Sequence, residues 1–161
     1  QLESTVSEGS LFHFTTRHHL TEEAVPSIVE QAPVSCARKV LVVDDNAINR
    51  KVAQMMLNRL GFIVELATGA VEALALATQQ HFDLIFMDCH MPITDGYQTT
   101  EKIQKALSSN CPPIVGLSAT SEKTKDRCLA AGMSDFLQKP ANLPSLYGMI
   151  KRWTSTSKQS H

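Results

Sequence analysis

No stretch of this 161-residue chain approaches the roughly 20 apolar residues that a membrane-spanning helix needs. The N-terminus also lacks the basic-then-apolar order of a signal peptide. No charge of one sign is in excess: the formal net charge is -1 and no basic stripe runs through the sequence, so nucleic-acid binding has no electrostatic footing. The four cysteines, Cys36, Cys89, Cys111 and Cys128, contain no Cys-x-x-Cys pair of the kind that holds zinc or cycles as a redox motif. Widely spaced as they are, they read as reduced thiols, in keeping with a cytoplasmic location. The adjacent histidines His18 and His19 lie in a polar stretch and read as solvated linker, not as metal ligands. The length suits one full domain with some additional sequence, and a second full domain would not fit comfortably.

What is present divides unevenly. Over residues 1–20, Leu11, His13 and Thr15 alternate with Phe12 and Phe14 after a Gly9-Ser10 turn signal, which predicts a short strand that cannot be stable alone. Residues 21–38 carry Pro26, Pro33 and scattered charges, a linker with a helical turn around Glu22 to Val29. A compact domain is expected over 39–154, and 155–161 is expected to be a disordered tail.

Within 39–154 short apolar runs alternate five times with amphipathic segments. Val40 to Val43 predicts a buried strand ending in Asp44-Asp45-Asn46. Ile48, Val52, Met55, Met56 and Leu60 fall at helical spacing, Gly61 supplies a stop, and Asp45, just before the helix, is placed to cap it. Phe62 to Ala67 predicts the second strand, and Gly69 to Gln80 a helix with Leu74 and the alanines inward. Asp83 to Asp88 is the third strand, its unbroken run Leu84-Ile85-Phe86-Met87 ending in one carboxylate. A helix over Tyr97 to Leu107, a strand over Ile114 to Ser118, a weakly apolar helix over Ser121 to Ala131, a strand over Asp135 to Gln138 and a final helix with Leu143, Leu146, Ile150 and Trp153 on one face follow. Strict alternation with right-handed crossovers predicts an α/β fold: a doubly wound, five-stranded parallel sheet covered on both sides, either flavodoxin-like (βα)5 or dinucleotide-binding. No glycine-rich turn follows the first strand, which sets aside the dinucleotide-binding and P-loop alternatives.

In such a sheet the carboxyl ends of the strands open onto one edge. They carry Asp44 and Asp45, then Asp88, then Ser118, then Lys139 followed by Pro140. Three carboxylates brought together repel unless a cation intervenes, and hard oxygen donors with room for water are what Mg²⁺ takes. With a lysine counter-charge and a hydroxyl, the set describes a phosphoryl site. Metal and ammonium neutralise the oxygens, the hydroxyl donates a hydrogen bond, and one carboxylate attacks phosphorus.

The segments Val40-Leu41-Val42-Val43-Asp44-Asp45-Asn46, Met87-Asp88-Cys89-His90-Met91-Pro92, Asp95-Gly96, Leu117-Ser118-Ala119 and Lys139-Pro140, in this order on these strands, together resemble the receiver domain of two-component response regulators. The Asp-Asp-Asn run with Asn49-Arg50 is similar to the variety fused to hybrid histidine kinases. The resemblance implies that Asp88 is the phosphoacceptor and that Asp44, Asp45, Asp88 and the backbone carbonyl of His90 hold Mg²⁺. It implies that Ser118 bonds the phosphoryl group and moves toward it, that Lys139 pairs with it across a cis bond to Pro140, and that Phe136 is the aromatic switch. Residues 3–14, Glu3 to Phe14, are similar to the last glycine motif and following strand of a histidine-kinase ATP-binding domain, so 1–20 reads as its remnant.

The function expected is Mg²⁺-dependent transfer of phosphate from a phosphohistidine to Asp88 and onward to a histidine phosphotransfer partner. The chain would catalyse its own phosphorylation and dephosphorylation, with the histidine kinase core and the phosphotransfer domain as partners. Neither nucleic acid nor direct membrane contact is expected, and any anchor of the parent kinase would lie upstream of this fragment. His90 and Thr120, two positions past Asp88 and Ser118, flank the entrance for water and are expected to set the phosphoryl lifetime. Two rivals stand beside this reading. One is a phosphorylation-independent interaction module, against which the full acidic, hydroxyl and lysine set argues. The other is an aspartyl-nucleophile phosphohydrolase, whose second aspartate, two residues on, is His90 here.

Overall fold

The apolar runs form one sheet in a computed structural model that describes residues 38–155 apart from 94, 120 and 121. The strand and helical turn expected before residue 38, Thr120, and the tail beyond 155 lie outside the described residues. The five strands are β1 (Lys39–Val43), β2 (Ile63–Ala67), β3 (Leu84–Asp88), β4 (Ile114–Ser118) and β5 (Asp135–Gln138). All pair in parallel, in the order β2-β1-β3-β4-β5. The expected flavodoxin-like α/β fold is what the chain adopts. Chain order reverses between β1 and β3, so the loops leaving these strands part and open a crevice at the carboxyl edge.

Burial follows position in the sheet. Every residue of β3 and β4 is buried, as a central parallel strand requires, whereas the edge strand β2 exposes Ile63. Helices α2 (Ala70–Gln79), α3 (Gly96–Leu107) and α4 (Glu122–Ala130) cover one face, where Ala73, Ile103 and Cys128 pack with Leu41, Ile85 and Met87. Helices α1 (Ala47–Arg59) and α5 (Leu143–Ser155) cover the other, where Leu57, Leu146 and Ile150 pack with Val42, Phe86 and Val115.

Two local expectations need correction, and α1 turns a face outward. Asn46, not Asp45, caps α1: its Oδ1 accepts from the backbone N–H of Ile48 at 2.9 Å and of Asn49 at 3.4 Å, which leaves the Asp45 side chain outside the cap. Ala75 on α2 is exposed, because Ala70, Ala73 and Ala77 share the inner stripe and Ala75 lies across the helix from them. On α1 the helically spaced Ile48, Val52 and Met55 face outward, at 72%, 43% and 62% exposure. The inner face is carried by Ala53, Met56 and Leu57. Gly61 ends α1 as expected, at φ +86°, a left-handed conformation that glycine adopts without strain.

Candidate functional site

Five strand ends meet at the crevice. Asp44 follows β1 and its N–H is held by the Ala67 carbonyl of β2 at 3.2 Å. Asp88 is the last residue of β3, level with Leu117 on β4; Ser118 closes β4, level with Gln138 on β5. The Lys139 N–H then donates to the Ser118 carbonyl at 2.8 Å, which fixes where the lysine leaves β5. Its peptide bond to Pro140 is cis, as the resemblance implied.

The sheet thus buries two carboxylates side by side, Asp44 and Asp88, with a buried Ser118 on the adjacent strand. Their common counter-charge is Lys139, whose Nζ lies 2.8 Å from Asp44 Oδ2 and 3.0 Å from Asp88 Oδ2. The remaining oxygens have their own donors: Asp44 Oδ1 accepts from the Asn46 N–H at 2.8 Å, and Asp88 Oδ1 from the His90 N–H at 3.1 Å. Asp45 stands beside them with an exposed carboxylate, and one oxygen from each of Asp44, Asp45 and Asp88 falls within 4.8 Å of the others. Three hard, anionic oxygen donors, one of them open to water, make a donor set of the kind Mg²⁺ accepts.

The electrostatics follow from burial. Desolvation pushes the Asp88 carboxyl above its ordinary value; the His90 N–H and Lys139 pull it down, and the Asp44 charge adds to the rise. Burial alone would lower Lys139, but its bonds to Asp44 and Asp88 outweigh that and raise it. The site therefore holds a firmly charged ammonium between two buried carboxylates, one of which is ionised at a cost.

Of the residues singled out in the sequence, the structure brings Asp44, Asp45, Asp88, Ser118 and Lys139 to one edge. The His90 backbone reaches Asp88 while its side chain is exposed. Phe136 sits lower on β5, level with Gly116, and packs partly buried against the core on the α4 side.

Sequence reasoning assigned no part to three further residues. Arg50 donates from Nη1 to the carbonyls of Asp44 at 2.6 Å and Asp45 at 3.0 Å, fastening the loop that carries both acids. Asn49 Nδ2 lies 3.2 Å from Asp44 Oδ2. Gly96 opens α3 so close under the acceptor strand that a Cβ there would lie 2.0 Å from the Asp88 carbonyl oxygen. Asn49-Arg50 and Asp95-Gly96 are visible in the sequence, but only the fold shows what they touch.

Comparisons with known proteins give the family. The family model for the response regulator receiver domain matches residues 40–151. Over 120 residues the chain is 38% identical to hybrid signal transduction histidine kinase F of Dictyostelium discoideum, covering 71% of this chain and 11% of that protein. Over 149 residues it is 34% identical to the sensor protein EvgS of Escherichia coli, covering 90% and 12%. The chain thus spans about a tenth of the length of these two relatives. Among solved structures, the receiver domain of the sensor histidine kinase PA1611 from Pseudomonas aeruginosa, with magnesium coordinated in its active-site cleft, superposes with TM-score 0.68 at 35% identity, covering 74% of this chain and 99% of that one. The receiver domain of Saccharomyces cerevisiae Ssk1, solved with the histidine phosphotransfer protein Ypd1, gives TM-score 0.70 at 28% identity, covering 75% and 91%. The chain belongs to the response regulator receiver domain family of two-component signalling.

Proposed function

We propose that this domain is a phosphorelay station in which Asp88 accepts a phosphoryl group from a phosphohistidine and passes it to a histidine phosphotransfer partner. The observation that carries the reading is the Lys139 ammonium within 3.0 Å of two buried carboxylates at the strand edge, beside a third, exposed one. A bound Mg²⁺, held by Asp44, Asp45, Asp88 and the His90 carbonyl, would neutralise charge on the transferred group. The chain's own residues do the rest. An Asp88 oxygen attacks phosphorus, the new P–O bond forms as the P–N bond breaks, and the electron pair leaves with the donor imidazole, which takes up a proton. Lys139 stays paired to Asp88 and meets the oxygens of the arriving group, and the Ser118 hydroxyl donates to one of them. Transfer onward reverses these steps with the partner's imidazole as nucleophile. Ser118 and Phe136 carry the switch, and His90 and Thr120 govern water access to the acyl phosphate.

The partner's docking surface follows from α1. Ile48, Val52 and Met55 form an exposed apolar stripe that begins three residues after Asp45, so a histidine phosphotransfer partner seated on it would bring its histidine near Asp88. The Ssk1–Ypd1 complex supports this pairing of domain types. No helix among the described residues is long and apolar enough to cross a membrane, and the reading places the domain in the cytoplasm, within a hybrid histidine kinase. Incubation with acetyl phosphate and Mg²⁺, followed by intact mass measurement, tests the central step: one phosphoryl adduct is expected, and none in Asp88→Asn. An undiminished adduct in that variant would refute it.

A further inference from the structure

We propose that Cys89 and Cys128 form a reversible disulfide that ties helix α4 to the acceptor loop. Cys89 directly follows Asp88; Cys128 lies in α4, yet the two Sγ atoms are 3.4 Å apart, both thiols free and buried. A disulfide needs a further approach of about 1.4 Å. Nothing stands between the sulfurs because β4 presents a glycine there. A Cβ on Gly116 would lie 2.8 Å from Cys128 Sγ and 3.0 Å from Cys89 Sγ, so any other residue would wedge the pair apart.

A route for an oxidant also exists. A cavity of about 430 Å³, lined by Cys89, His90, Asp95, Tyr97 and Arg127 among others, opens beside the acceptor loop. Arg127 is its exposed rim, with its guanidinium 4.2 Å from the Tyr97 ring centre and 3.1 Å from Asp95 Oδ2. Cys89 lines this cavity and Cys128 lies behind it, so Cys89 meets the oxidant first and Cys128, with its Sγ 3.4 Å away, is placed to resolve it.

With hydrogen peroxide as oxidant the chemistry balances. The Cys89 thiolate attacks one peroxide oxygen, the O–O bond breaks, and the hydroxide released takes up the thiol proton as water. Cys128 then attacks the sulfenic sulfur, the S–S bond forms, and the S–O oxygen leaves as a second water with the Cys128 proton. Two thiols lose two electrons and two protons, and one peroxide is reduced to two waters.

The consequence for signalling rests on the phosphoacceptor reading of Asp88. Thr124 and Cys128 are the buried side chains among the described residues of α4. A covalent bond at Cys128 converts one of these packing contacts into a fixed tether one residue from the acceptor.

The test is peroxide treatment of the full chain, alkylation of remaining thiols, and mass spectrometry of non-reduced peptides. A Cys89–Cys128 linked pair is expected, lighter by the two thiol hydrogens, reversed by dithiothreitol and absent in Cys128→Ala and Cys128→Ser. The oxidised chain should take up phosphoryl from acetyl phosphate several times more slowly, with recovery on reduction, and Cys128→Ala should be indifferent to oxidant. If Cys36 and Cys111 oxidise while Cys89 and Cys128 are alkylated as free thiols after denaturation, the site is overturned. A linked pair with unchanged uptake overturns the tether. A reduced chain that takes up no phosphoryl group refutes the Asp88 reading alone, since the linked peptide is scored independently.

Discussion

Replacing Lys139 by methionine removes the cation that, among the described residues, the buried carboxylates of Asp44 and Asp88 share. At 2.8 and 3.0 Å, each pairing is a Coulomb attraction of about 6 kcal/mol at an effective dielectric near 20, most of it offset by the desolvation of the three groups. Without the ammonium, Asp44 and Asp88 oxygens within 4.8 Å of each other repel by at least about 3 kcal/mol on the same scale. A net loss of roughly 3–5 kcal/mol is expected near pH 8, a large share of a domain's usual stability of about 5–15 kcal/mol. The loss must depend on pH. Asp88 already binds its proton more tightly folded than unfolded, and removing Lys139 strengthens that preference. Stability from such a raised group is full below its unfolded value and fades as pH rises through the folded one, so the deficit of Lys139→Met shrinks from about pH 8 to about pH 5.5. Mg²⁺ should restore part of it, about 2.7 kcal/mol at a concentration of about 100 times its Kd. Urea unfolding followed by circular dichroism at both pH values, with and without Mg²⁺, measures all three terms. An equal deficit under every condition would refute the charge argument and leave only lost packing of the lysine stem.

Four further outcomes are expected. Asp88→Asn, a neutral isostere, should unfold at higher urea than the parent at neutral pH. The difference should vanish as pH falls and Asp88 protonates, because the raised carboxyl is ionised at a cost only above its folded value. Gly96→Ala should lose at least about 1–3 kcal/mol in the same assay, together with phosphoryl uptake, since the new Cβ displaces the Asp88 carbonyl. Exchanging His90 and Thr120 for larger or smaller side chains should change the decay rate of the acyl phosphate, and unchanged decay would dismiss both from that role. Ile48→Glu with Met55→Glu should slow transfer to a phosphotransfer protein about tenfold or more, while uptake from acetyl phosphate stays as in the parent.

How much of this was legible in the sequence depends on whether a residue acts through its position or through its contacts. The strands were legible because continuous apolar runs such as Leu84 to Met87 suit only a sheet buried on both faces, and the strand ends followed from them. Asp44, Asp45, Asp88, Ser118 and Lys139 could be gathered on one edge without coordinates, because parallel topology itself gathers them. Contacts made across the fold were not legible. The 3.6-residue period of α1 fits two stripes, and Ile48-Val52-Met55 is as regular as Ala53-Met56-Leu57; the sheet, not the sequence pattern, decides which turns inward. Nor does spacing show that Arg50 reaches back to two carbonyls, or that Gly96 lies against Asp88.

These contacts divide the site into a fixed half and a yielding half. On the fixed side, β1 and β3 are paired along their length, Arg50 fastens the loop after β1, and Gly96 brings α3 against the end of β3. On the other side, α4 reaches the core through Thr124 and Cys128, and its Arg127 is held by an exposed pairing with Asp95 of the kind worth about 1 kcal/mol or less. A charge added at Asp88 finds no give in the first half. Its load falls on Ser118 and on α4 beyond it, whose buried side chains among the described residues are Thr124 and Cys128, and a bond between Cys89 and Cys128 would tie that helix to the acceptor loop.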